Sequence, residues 1–222
     1  DAPSLLESRS EQIRFIARYD RDGNAHELSL DRISDALGDE GGLIWVGLFE
    51  PDETLLFKMQ VEFDLHPLAV EDAHKAHQRS KIERFGNSLF IVVNTAQMLD
   101  GGIVYGESHL FLGSDFILTV RHGGTLSFSP ARERYAKNPD YFGNGPGMAL
   151  YTVLDQIVER VVEVGELARR CHGSSRRVRS CQVGAPQILW AQPPIFQSGQ
   201  GDDMRIPAAA PVRRSAVSVL GL

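Results

Sequence analysis

Long apolar runs are missing from this chain. The longest covers residues 89–93, whereas a membrane-crossing helix needs about 20 predominantly apolar residues. No bilayer span is therefore expected. Residues 1–10 lack a basic start followed by an apolar core, so no secretory signal is expected either, and the expectation is a soluble, cytoplasmic product. Cysteine is scarce. Cys171 and Cys181 stand alone, without CxxC spacing, which leaves neither a zinc finger nor a thiol redox motif. An excess of positive charge is absent too: 23 Lys and Arg against 29 Asp and Glu give a formal net charge of -6. Phosphate backbones need a basic face, so nucleic acid is not an expected partner. There is no GxSxG, and the glycine-rich residues 143–147 lack the Lys-Ser/Thr of a phosphate loop. Nothing here has the signature of an enzyme.

What is present is a globular pattern. The chain has 222 residues, 42% of them hydrophobic, enough for one good core and at most two small domains. Residues 13–19 read as a strand, Asp20-Arg21-Asp22-Gly23 as a turn, and residues 25–30 as the returning hairpin partner. Residues 31–37 show helical spacing, with Gly38 placed as a C-cap. Residues 43–48 read as a buried strand. Pro51-Asp52-Glu53 opens a helix whose apolar positions Leu55, Leu56, Met59 and Phe63 keep to one face. His66-Pro67 starts another, since proline suits the first helical position. Residues 84–98, 104–112 and 116–120 are strands joined by short turns, which favours an antiparallel or mixed sheet. Residues 130–137 form a charged helix.

A long helix begins near Met148. Its apolar residues Leu150, Leu154, Ile157, Val161 and Val164 alternate steps of four and three. That spacing fits an a/d seam against another helix, and it fits a helix facing the core of its own domain. From about Arg169 the composition turns to Arg, Pro, Gly, Ala, Gln and Ser, and the periodicity stops. The expected organisation is an α/β domain over residues 1–147, a long helix over 148–171 and an irregular tail over 172–222.

Chemistry concentrates in residues 65–83. Glu71 and Asp72 are adjacent, roughly 100° apart on a helix, so they make no catalytic dyad by themselves. Either can pair with acids from elsewhere, and carboxylates suit hard cations such as magnesium. A solvated helix face explains them as well. His66, His74 and His77 invite zinc, with Glu71, His74 and His77 spaced by threes. That spacing holds only if the helix runs past Lys75; capping and surface roles are the plainer explanation. Gln78-Arg79-Ser80-Lys81 is basic, and pairing with nearby acids explains it better than phosphate binding.

The run from Leu65 to Asp72 (LHPLAVED), then His77 to Glu83 (HQRSKIE), then Leu89 to Val92 (LFIV), resembles the CorA family of divalent-metal transporters. So do Trp45-Val46-Gly47-Leu48 upstream and residues 150–158 downstream. The resemblance covers residues 13–167, with Ser80 standing where the family usually has proline. It implies an α+β fold, an αβα sandwich around a mixed, largely antiparallel sheet, followed by the start of a long stalk helix. It further implies a homo-oligomer, pentameric in the full-length family, whose membrane contact comes only through segments absent here. By motif position Asp72 matches the main regulatory magnesium ligand, with Glu71 and Asp155 as neighbours. A zinc-transporting relative is the alternative within the family; a zinc-dependent soluble hydrolase using His66, Glu71, His74 and His77 is the alternative outside it. The family's Gly-Met-Asn motif has no match, since Ala149 follows Gly147-Met148. The divergent tail is then read as a shifted frame or a truncation, and the chain as a metal-sensing regulatory module rather than an enzyme.

Overall fold

The structure, a computed structural model, describes residues 11–37, 42–99, 102–124, 126–138, 140–141 and 145–173. The expectations for Gly38 and for the tail after residue 173 lie outside the described residues.

The chain begins with β1 (Ile13–Tyr19) and the short β2 (Ala25–Glu27). Asp20 closes this hairpin, its Oδ1 accepting the amides of Asp22 and Asn24 at 3.0 and 2.9 Å. The returning strand ends at Glu27, earlier than the pattern suggests. A 3-10 turn (Leu30–Arg32) and a four-residue helix α1 (Ile33–Ala36) follow. β3 (Leu43–Phe49) then leads into α2 (Glu53–Phe63) and α3 (Pro67–Lys75). Asp52 caps α2, its Oδ1 accepting the Leu55 amide at 2.8 Å. Leu55, Leu56, Met59 and Phe63 are all buried; each contributes about 1.5–3 kcal/mol by leaving water.

The segment read as one strand over residues 84–98 is two. β4 (Lys81–Phe85) and β5 (Ser88–Leu99) are separated by a two-residue turn. Gly86 adopts φ +59° there, a conformation glycine reaches without strain. β6 (Gly102–Leu112) and β7 (Phe116–Gly123) complete the sheet, and α4 (Ser129–Ala136) and α5 (Pro146–Gly173) end the described chain.

Seven strands lie in the order β2-β1-β3-β7-β6-β5-β4. Every pairing is antiparallel except β3 with β7, at the centre, which is parallel. Alternation along the strands divides the interior in two. Ile44, Val46 and Leu48 face α2 and α3, packing with Leu56, Met59, Ala69 and Ala73. Leu43 and Trp45 face the other way and pack with Ala131, Tyr135, Ala149, Val153 and Ile157 of α4 and α5. The fold is thus the α+β sandwich, with helices on both faces of a mixed sheet.

Within this chain, the buried residues of α5 show which face meets the sheet. Its inward stripe is Ala149, Thr152, Val153, Gln156, Ile157 and Val164. Leu150 and Leu154 only edge the core, and Val161 is 43% exposed. α5 therefore faces its own sheet, rotated from the seam that large apolar residues alone suggest.

Candidate functional site

Helix α3 owes its start to His66. The ring Nδ1 accepts the Leu68 amide at 3.3 Å, and Pro67 takes the first helical position. The same ring stacks on Phe85 at 4.2 Å, with 12° between the planes. The helix ends at Lys75, after which Ala76 and His77 both adopt left-handed backbone, φ 50° and 56°. His77 consequently leaves the helical path, and the spacing by threes from Glu71 through His74 to His77 does not survive. The zinc set of His66, Glu71, His74 and His77 is not assembled. Among the described residues no three His, Cys, Asp or Glu side chains stand arranged to hold a metal ion.

The acids form no three-ligand group either, but they do meet in one place. Glu71, Asp72 and Glu83 line one open cleft of about 560 Å³ with Leu68, Arg84 and Phe85. Strand alternation puts residues 81 and 83 on the same face of β4, towards α3. Lys81 lies between the carboxylates: its Nζ is 2.6 Å from Asp72 Oδ2 and 2.9 Å from Glu83 Oε2. Hydrogen bonding first to Asp72, then to Glu83, raises the Lys81 pKa and keeps the ammonium charged. Glu71 is paired with Lys75 one helical turn on. Arg84 turns its Nε to the Gly86 carbonyl at 2.9 Å.

Asp155 stands apart. It lies on α5, in the layer across the sheet from α3, and pairs with Arg134 Nη2 at 2.6 Å. Within one chain it is no neighbour of Asp72. Glu83 joins Glu71 and Asp72 instead. Spacing alone does not single out Glu83: it joins the acids because β4 starts at Lys81 and sets Lys81 and Glu83 on one face. The basic segment behaves as the plainer reading has it, with Lys81 on neighbouring acids.

A second polar group lies on β6. Glu107 and His109, two apart on β6, are both buried, and His109 Nε2 binds Glu107. Both Glu107 oxygens accept the Gln78 amide at 3.1 Å. Burial raises the Glu107 pKa, but the His109 bond and charge and the Gln78 amide outweigh it, so the carboxyl is held below its ordinary value. His122 lies beside His109, ring centroids 5.4 Å apart, and its Nδ1 is 3.0 Å from Glu50 Oε2. This network ties the loop after α3 to the sheet, and so helps position the helix that carries Glu71 and Asp72. Alternation at 107 and 109 was the available signal.

The elements build a three-layer α+β domain with a carboxylate-lined cleft at one sheet edge. Residues 40–175, more than half of the chain, match the family described as CorA-like Mg2+ transporter protein, and the chain belongs to that family. It is 30% identical over 115 residues to YfjQ of Bacillus subtilis (strain 168), a protein described as a metal ion transporter. That alignment covers 52% of this chain and 35% of the relative, so the chain spans about a third of the relative's length. The fold is similar to the soluble domain of CorA from Methanocaldococcus jannaschii, with TM-score 0.55, 17% identity, and 73% of this chain and 63% of that one covered. It is similar also to full-length CmaX, with TM-score 0.56, 12% identity, and 73% and 50% covered.

Proposed function

We propose that this chain is the cytoplasmic, metal-sensing regulatory domain of a CorA-like magnesium transporter. It is non-enzymatic, and it acts in a homo-oligomer whose pore comes from segments outside residues 1–222. Residues 1–147 form the sensing domain in this reading, and 148–171 the helix that carries its state onward.

The observation that carries the reading is the cleft of Glu71, Asp72 and Glu83 on a domain of this family. Its donors are carboxylate oxygens, which fit a hard, well-hydrated dication. His66 is used as a helix cap and His77 leaves the helix, so imidazole does not enrich the cleft; that supports magnesium over zinc. Asp72 and Glu83 would hold the ion, with Glu71 beside them, and the ion would supply positive charge against mutually repelling acids. Asp155, in the opposite layer, enters only from a second copy. Acids brought face to face between copies repel, and a bound dication favours the arrangement in which they meet. Binding and assembly are then coupled, each strengthening the other.

The test is magnesium titration of the full chain by calorimetry, with sedimentation at each step, for the native protein and Asp72→Ala. The native chain is expected to bind magnesium and gain mass on binding, and Asp72→Ala to do neither. Unchanged binding and association in the variant removes Asp72 from the site.

A further inference from the structure

Lys81 occupies the position that a cation in this cleft would need. Its ammonium touches Asp72 at 2.6 Å and Glu83 at 2.9 Å, each within direct hydrogen-bond reach. The side chain is 28% exposed, as Asp72 is at 27%, so the pair is partly withdrawn from water, where charge attraction is less screened. The Phe90 ring centroid lies 5.7 Å from the same Nζ. Lys81 therefore has partners of two kinds within reach, carboxylates and an aromatic ring.

We propose that Lys81 is a built-in competitor for the cleft, a tethered counter-cation that must leave Asp72 and Glu83 before those carboxylates can bind a divalent ion. The proposal rests on the reading of this cleft as a divalent-cation site. It adds that binding is an exchange, ammonium out and dication in, rather than simple filling of a vacant site.

Three physical consequences follow. A single ammonium satisfies the acids at low metal, so the domain has a stable apo state without unpaired carboxylates. A dication brings twice the charge and takes carboxylate oxygens, so it replaces the ammonium only above a threshold concentration that Lys81 helps to set. A monovalent cation offers no gain in charge over Lys81 and is discriminated against.

The test uses the full chain and reads the amine itself. Reductive methylation of lysines is followed by mass spectrometry, with magnesium chloride and with potassium chloride at equal ionic strength. Methylation of Lys81 is expected to be slow in potassium and about fivefold faster at saturating magnesium, the scale of one partly exposed ion pair. Lys137, 75% exposed and far from the cleft in sequence, serves as the internal standard and should not respond. Calorimetry runs in parallel on the native chain, Lys81→Met and Asp72→Asn. Lys81→Met is expected to bind magnesium about fivefold more tightly, and Asp72→Asn not to bind it.

Magnesium binding with no change in Lys81 methylation, and no gain in Lys81→Met, overturns the competitor role and leaves the metal-sensing reading intact. No magnesium heat in either the native chain or Lys81→Met overturns the metal-sensing reading and this proposal with it. Binding in Lys81→Met alone overturns both: the native cleft then holds a permanent ammonium that magnesium does not exchange. The methylation arm needs no substitution, so a variant that fails to fold does not remove the test.

Discussion

At the residue scale, single side chains fix local geometry more tightly than composition suggests. Gly47 on β3 is required by contact rather than by conformation: a β-carbon there would come within 2.1 Å of the Phe15 ring. That ring cannot simply swing away, because it packs edge-on against Trp45 at 6.2 Å and carries the Arg132 guanidinium at 3.6 Å. Gly47→Ala is expected to cost about 1–3 kcal/mol, read as a lowered midpoint of urea unfolding with unchanged slope. Glu107 carries a pH signature. Its folded pKa lies below the ordinary value of 4.5, so the stability it contributes is fully present above about pH 4.5 and is lost as the pH falls through the folded value. Glu107→Gln is expected to lose about 1–3 kcal/mol at pH 7 and to show a shallower loss of stability below pH 4.5 than the native chain. Thermal melts from pH 3 to 7 check both points, and equal acid slopes for the two proteins would count against the assignment.

At the element scale, α4 depends on α5 for its start. Phe128 stands at the cap position and offers no side-chain acceptor. Ser127 Oγ accepts the Ser129 amide at 3.2 Å, and Gln156 of α5 supplies the rest. Gln156 Oε1 accepts the Ala131 amide at 3.0 Å, and its Nε2 donates to the Ser127 carbonyl at 2.6 Å. Gln156 is buried, so removing it leaves two backbone groups without a partner. Gln156→Leu is expected to destabilise the chain by about 1–3 kcal/mol, read as a lowered midpoint of urea unfolding, and to speed amide exchange at Ala131, whose acceptor is gone. The same dependence explains why the helical seam drawn from large apolar residues was rotated. Ala149, Thr152 and Gln156 face inward because the space over the sheet suits small residues and a cap for α4, and neither need is written in local hydrophobicity.

At the scale of the whole molecule, stability centres on the one parallel pair. β3 and β7 run side by side from Ile44 opposite Phe116 to Phe49 opposite Arg121. Both are flanked by further strands, whereas β2 and β4 are edges. β2 exposes all three of its residues. Amides of β3 and β7 are expected to exchange only by global unfolding, and those of β2 by local opening, orders of magnitude faster. Hydrogen exchange followed by mass spectrometry distinguishes the two, and equal protection in β2 and β3 would contradict this picture. The central pair joins residues more than 70 positions apart, so the two halves of the sheet close on each other late in the chain. Folding through such non-local pairing is slow relative to helical proteins of this size.

Much of the architecture was legible in the sequence because local chemistry carries it. The strand of β1, the buried run of β3, the one-faced pattern of α2 and the His66-Pro67 start of α3 each follow from spacing and from which residue satisfies a helix terminus. The blocks from Leu65 to Val92 were specific enough to place the chain in its family. The rest was decided by tertiary structure. Gly86-Asn87 marks the β4–β5 turn, but neither that turn nor alternation shows that the face carrying Lys81 and Glu83 meets α3. The position of Asp155 depends on which face of the sheet α5 covers, a choice made by packing over long sequence separation. Asp72 could be named from the family resemblance only as a candidate metal ligand; that Lys81 already holds it is a fact of distance, produced when a helix end and an edge strand, nine residues apart along the chain, are packed at one corner of the sheet.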